Sequence, residues 1–452
     1  MSINFSRRQF LASGLGFPAL AAAAVDNPFA AKAPQFPATA KNVIFLFMHG
    51  GPSHLETFDP KPILNTLHGQ HVPPSFGSVQ LQFSKFEQST VLGVKRQFKK
   101  YGQSGLEVSD VFPHVAQRAD DLAIIRSMYH DGFTHTAALN WLNNGWPRLG
   151  RPSIGSWLVY GLGSESENLP AFVAMLDGGI KSGPSVYSSG FLPAMYQGTQ
   201  FREGPQPILN LTPPRGMKEA DQREMLDNLR WFNARHAAAH PDESALEARL
   251  NSYELAFRMQ TAATDAFDIS KEDQKTRDMY GKSDLGAKLL CARRLVERGV
   301  RFVQIDAGGW DHHVNLYTSI NRTGGAIDTP AAALIADLKQ RGLLDQTLVI
   351  WGGEFGRTPS TPGRVNQASG RDHWAKAFCC WMAGGGVKGG MAYGETDEIG
   401  AQVAADGCHV HDLHATILRL LGFDHTKLTY RYNGRDFRLT DNFGKVVDKI
   451  IS

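Results

Sequence analysis

Short apolar runs alternate along this chain with amphipathic, charged stretches. Asn42-Val-Ile-Phe-Leu-Phe-Met48 is the clearest run, and it stops abruptly at His49-Gly-Gly-Pro-Ser53. A segment apolar at odd and even positions alike predicts a strand buried on both faces, as in a parallel sheet. Leu122–Arg126, Ala171–Met175, Val300–Ile305, Thr347–Trp351 and Ala375–Met382 repeat the pattern. Between them, apolar positions at helical spacing predict helices over Thr136–Asn144, Leu285–Arg298, Ala331–Arg341 and Asp412–Leu421. Strands alternating with helices predict an α/β fold, a three-layer α/β/α sandwich with a mixed, mostly parallel sheet. One stretch breaks the rhythm. Residues 197–215 are rich in Pro and Gly and read as a linker, and Lys218 to about Ala263 has helical spacing among many charges. A helical cap inserted at about 215–280 is therefore expected within a main domain over 41–441, followed by a tail over 442–452.

The first residues carry an address. Ser6-Arg-Arg-Gln-Phe-Leu11 is a twin-arginine signature, followed by a mostly apolar run from Leu15 and alanines at 21–24. Residues 1–24 are expected to be a cleaved signal peptide and 25–40 a linker, placing the protein in the periplasm or outside the cell. The run is shorter than the ~20 apolar residues a spanning helix needs, and no later segment reads as transmembrane. The twin-arginine route carries folded proteins, often with a cofactor inserted, which favours a metal site. Composition is that of an ordinary globular chain, 42% apolar and 20% charged. A net charge of +3 gives no reason to invoke nucleic acid or anionic lipid. Four cysteines are too few for a disulfide scaffold, and Cys379 and Cys380 sit inside an apolar run as small hydrophobes.

The chemistry-bearing residues gather where predicted strands meet glycine-rich loops. Thr347-Leu-Val-Ile-Trp-Gly-Gly-Glu-Phe-Gly-Arg-Thr-Pro359 and Gly370-Arg-Asp-His-Trp374 place Glu354, Arg357, Asp372 and His373 along one rim of such a sheet. His49, His135, His313 and His373 read as lying at strand ends or in the loops after them. A single histidine there is usually structural, but four together point to a shared site. The guanidinium fork of Arg357 suits a phosphate or sulfate. His409, His411 and His414 read as surface or hydrogen-bonding groups.

The order of these blocks resembles the alkaline phosphatase superfamily, with its sulfatases, phosphodiesterases and cofactor-independent phosphoglycerate mutases. More narrowly, the chain is similar to an exported bacterial family known only as domain of unknown function 1501. The resemblance covers about 41–441 and rests on the twin-arginine leader and on five motifs. These are Gly50-Gly-Pro-Ser-His-Leu-Glu-Thr-Phe-Asp-Pro-Lys61, Gly309-Trp-Asp-His-His313, Gly353-Glu-Phe-Gly-Arg-Thr358, Arg371-Asp-His-Trp374 and Gly434-Arg-Asp-Phe-Arg-Leu-Thr-Asp441. It implies an alkaline phosphatase-like fold and hydrolysis of phosphate or sulfate esters, of small molecules or carbohydrates, with a divalent metal: zinc, calcium, manganese or magnesium.

Position by position, the superfamily's site is altered. Its first-strand Asp corresponds to His49, and its helix-opening nucleophile to the Thr134-His135-Thr136 stretch. Its Asp-x-x-x-His element keeps Asp306 but has Trp310 for the His, with Asp311, His312 and His313 behind. Its Asp-His-Gly element becomes Glu354-Phe355-Gly356, and its last His is His373. The resemblance thus implies one ligand cluster of Asp306, His373 and either Asp311 or His313, and another of His49, Glu354 and His135. Thr134, His135, Thr136 and Arg357 would meet the ester. An altered hydrolase and a non-catalytic envelope protein holding an anionic polymer or partner in the same cleft are both compatible with these residues.

Overall fold

The computed structural model describes residues 30–76, 79, 85–176, 183–201, 216–239, 253–260 and 265–452. The expected signal segment 1–24 lies outside them, as do parts of the linker 197–215 and of the expected cap.

Among the described residues the central sheet has nine strands. They are β1 (Asn42–Phe47), β2 (Leu122–Tyr129), β3 (Phe172–Met175), β4 (Thr199–Phe201), β5 (Phe302–Asp306), β6 (Thr347–Gly352), β7 (Phe378–Ala383), β8 (Met391–Tyr393) and β9 (Cys408–His409). Their spatial order is β8–β2–β7–β6–β1–β5–β3–β4, with β9 also against β2. β1 lies at the centre, parallel to β5 and β6, with Phe47 opposite both Asp306 and Gly352. Every pairing in this sheet is parallel except those of β7, which is antiparallel to β6 and β2.

The continuous apolar pattern has the expected cause, since both faces of β1 are covered. Val43, Phe45 and Phe47 pack on one side with Leu139 and Leu142 of α1 (His135–Asn144), Trp157 of α2 (Ile154–Leu162), and Leu413 and Ile417 of α6 (Val410–Leu420). Ile44, Leu46 and Met48 pack on the other with Leu289 and Leu295 of α4 (Asp284–Glu297) and Leu334 and Leu338 of α5 (Leu316–Gln340). Each fully buried Leu or Ile there contributes about 1.5–3 kcal/mol of burial free energy. The three-layer, mostly parallel architecture matches the expectation.

Some boundaries do not. Helix α5 begins at Leu316, not near Ala331, and contains Pro330. Gly324 and Gly325 also lie within it, and a Cβ on Gly324 would lie 2.2 Å from Val111 Cγ1, so close packing accounts for that glycine. Strands β4, β8 and β9 are too short to show a period and were not expected. Within the region expected to form a cap, α3 (Glu219–Ala239) and the helical residues 253–260 are tied by Arg223 to Glu254 at 2.6 Å. The segment after Asp441, expected as a tail, folds back so that Ile450 is fully buried.

Candidate functional site

The carboxyl ends of β1, β2, β5 and β6 open on one edge of the sheet, and the chain turns there through polar loops. His373 precedes β7, and only because β7 runs antiparallel does its beginning reach the same edge. Chain order alone, with each ligand expected after a strand, did not contain that reversal.

A buried guanidinium joins the loops. Arg357 Nε donates to Gly51 O at 2.9 Å and Nη1 to Arg371 O at 3.1 Å. Its Nη2 reaches Asp311 Oδ1 at 2.7 Å, Trp310 O at 3.3 Å and Gly50 O. The loops after β1, after β5 and before β7 are thus fixed to one side chain. Gly50 has φ +115°, and a Cβ there would sit 2.5 Å from the Asp311 nitrogen. Glycine lets the two loops touch and lets Gly50 N–H donate to Glu354 Oε1 at 2.9 Å and to Oε2 at 3.1 Å.

The ligand-type side chains meet above this base. His135 opens α1 behind Thr134, the N-cap residue with extended backbone. Its Nδ1 lies 2.7 Å from Glu354 Oε1 and its Nε2 3.2 Å from Asp311 Oδ2. On the other side of the same carboxylate, Asp311 Oδ1 is 3.0 Å from His313 Nε2 and 3.2 Å from His373 Nε2. Phe355, buried, stacks on the His373 ring at 4.4 Å. Three sets of ligand atoms lie within 4.8 Å of one another: His49, His135 and Glu354; His135, Asp311 and His373; His313, Asp372 and His373. The side chains of Glu354 and Asp372 are wholly buried, whereas Asp311 is 32% exposed and opens the cluster to solvent.

The electrostatics are those of a negatively biased cavity. Burial opposes charge on His135, but hydrogen bonds to the Asp311 and Glu354 carboxylates outweigh it and push its pKa up to about 9. Burial disfavours a charged Asp311, yet hydrogen bonds from His135, His313 and His373, with the Arg357 charge, hold its carboxyl well below the usual range. Burial likewise opposes ionisation of Glu354, and His135 and His49 bring its pKa below the ordinary value. His373 is lowered by burial against its hydrogen bond to Asp311, with Arg357, His135 and His313 adding repulsion.

Six expected metal ligands therefore sit in the shared groups: His49, His135, Asp311, His313, Glu354 and His373. Asp306 belongs to none of the three. It is the last residue of β5, paired with Phe47 and buried in the sheet, while the loop beyond it returns to place Asp311 over the site. Asp372, not expected among the ligands, joins His313 and His373 in the third group. Its proximity to His373 in sequence was visible, but its burial was not. Arg357 also differs from expectation: its side chain is wholly buried and its donors are turned on carbonyls and Asp311, so it positions the loops and does not present a fork to solvent. Thr134 and Thr136 are exposed beside His135. Trp310, in the place of a histidine, is core, stacked near Phe112 and edge-on to Trp351. His411 and His414 are buried hydrogen-bonding groups, donating to Gly145 O and Leu142 O at the end of α1, each at 2.8 Å.

Fold and site together define a three-layer α/β protein with a histidine–carboxylate cluster at the carboxyl edge of its sheet. The chain belongs to the family described as protein of unknown function (DUF1501), which matches residues 40–451. No curated protein sequence matches it. Among solved structures it is similar to an alkaline phosphatase from the Antarctic bacterium TAB5, at 13% identity and TM-score 0.34, over 85% of this chain and 99% of that one. It is also similar to the PsFucS1 sulfatase from Pseudoalteromonas sp., at 14% identity and TM-score 0.35, over 85% of this chain and 68% of that one. A third is BT1596, a 2-O GAG sulfatase, at 8% identity and TM-score 0.35, over 91% and 74%. No described helix is long and apolar enough to cross a membrane.

Proposed function

We propose that this chain is a divalent-metal-dependent hydrolase of phosphate or sulfate esters, carbohydrate esters among them, exported by the twin-arginine route and working through a two-ion site with an altered ligand set. One observation carries the reading. The groups His49/His135/Glu354 and His313/Asp372/His373 share no residue, and Asp311 stands between them with one oxygen toward each. Imidazole and carboxylate donors suit zinc or manganese. A buried Asp372 Oδ2 with no hydrogen-bond partner among the described residues supports the fit, because an orphaned buried carboxylate oxygen is costly unless something positive meets it.

Divalent ions bound there would supply positive charge at the ester oxygens. The chain's own residues do the rest. His49, His135 and Glu354 would hold one ion and His313, Asp372 and His373 the other, with Asp311 kept anionic and oriented by Arg357. Thr134, exposed at the start of α1, offers a hydroxyl where backbone N–H groups favour an anion. The test is turnover of p-nitrophenyl phosphate and p-nitrophenyl sulfate by metal-reconstituted protein, beside Thr134→Ala and His373→Ala. Metal-dependent turnover lost in His373→Ala supports the proposal. A protein that takes up metal and turns over neither ester would be a binding protein using this cleft.

A further inference from the structure

Beside the metal cluster, not over it, lies a cavity of about 650 Å³. Trp141 lines it, six positions after His135 on α1 and hence about 9 Å further along the helix axis. This volume falls in the range of pockets that enclose a small organic ligand. Its walls are aromatic: Tyr129 from the end of β2, Trp141, and Phe443, which is 59% exposed at the rim.

His411 is engaged within the protein: it donates its Nε2 hydrogen to Gly145 O at 2.8 Å, its Nδ1 is closed to solvent, and its ring stacks on Phe443 at 5.4 Å. His409 supplies the polar group between the rings. Its Nδ1 accepts from His411 N–H at 3.2 Å, so in the neutral ring Nε2 carries the hydrogen and is a donor. Burial first, and then the neighbouring His411, bring His409 down to about 4, so it is neutral near pH 7. The formal charges lining the cavity cancel, Arg438 and Lys445 against Asp131 and Asp412.

We infer that this cavity is a binding subsite for a neutral pyranose ring, with His409 donating to one hydroxyl and the aromatic walls taking the ring's apolar C–H face. A saccharide combines an apolar face with neutral hydroxyls, and aromatic walls around a neutral polar group suit that combination. A free anion would meet no net positive field. The inference does not rest on the metal reading, because none of the residues invoked belongs to the metal groups.

The experiment is saturation-transfer NMR on the full exported protein, treated with chelator, against methyl glycosides of glucose, galactose, mannose and N-acetylglucosamine. Binding of at least one glycoside, at about 1 mM or tighter, is expected. Phe443→Ala, at an exposed position, should weaken it about three- to tenfold through loss of the stacking face. Asn442→Trp, also exposed at the cavity, should block it. Should no glycoside bind, should the two variants bind as the parent does, or should inorganic phosphate compete where glycosides do not, the inference fails. Ester hydrolysis assays do not bear on that outcome.

Discussion

Replacing Arg357 by Lys keeps the charge and changes only the geometry, which makes it a sharp probe of the site's foundation. The guanidinium serves five acceptors in three loops: Gly51 O, Gly50 O, Trp310 O, Arg371 O and Asp311 Oδ1. An ammonium has three donors, so at least two acceptors lose their partner. With a buried unsatisfied polar group costing ~1–3 kcal/mol, the expected destabilisation is roughly 2–6 kcal/mol. Arg357→Ala would also leave Asp311 without its cation, although Asp311 is 32% exposed and solvent would screen part of that cost. Urea unfolding in chelator at neutral pH removes any metal contribution and reads the difference directly. A surface control, Arg431→Lys, pairs with Asp436 at 69% exposure and should change stability by less than about 0.5 kcal/mol. If Arg357→Lys behaved like that control, the idea that one side chain holds the three loops would be refuted.

Three further outcomes follow from other parts of the fold. His54 and His414 are buried with Nε2 on Gly400 O and Leu142 O, and burial lowers them to about 4 and about 3. Their folded values lie below the unfolded value of 6.5, so the unfolded chain takes up protons first. Stability should be full above pH 6.5 and fall as pH drops toward 4, with each group contributing a slope of about 1.4 kcal/mol per pH unit. His414→Gln should flatten that slope in pH-dependent urea titrations, and an unchanged slope would contradict it. Glu56 and Arg371 form a wholly buried pair at 2.8 Å. Removing the carboxylate in Glu56→Ala should therefore cost about 3–5 kcal/mol in thermal or urea unfolding, whereas a loss under 1 kcal/mol would count against the pair's role. Asp311→Asn removes the charge that faces both ligand groups while keeping its shape. Calorimetric titration should show zinc affinity falling by at least about tenfold, a factor set by one lost charge-assisted contact of ~1.5–3 kcal/mol. Undiminished affinity would place the metal elsewhere.

The sheet was legible because its strands are apolar on both faces, and few folds besides a covered parallel sheet produce that pattern. The short edge strands and the Gly- and Pro-bearing start of α5 were not, since tertiary packing overrides local preference there. At the site, His49 and Glu354 were legible because each stands immediately beyond an apolar run. Asp306 shared that signature, yet it stands outside the three ligand groups while Asp311 stands inside one of them. The inward turn of Arg357 depends on a loop 306 residues away, and Asp372 is held against Thr358 and His313 from two other loops. No local pattern encodes those.

Elemental analysis of native protein, purified without chelator and quantified per chain, tests the central claim most directly. The account predicts one to two equivalents of a divalent metal bound per chain, a number set by the two disjoint ligand groups, with loss in both Asp311→Asn and His373→Ala proteins that remain folded. Metal-free protein that takes up no zinc, manganese, magnesium or calcium when offered would contradict it, as would metal retained at full occupancy in both variants.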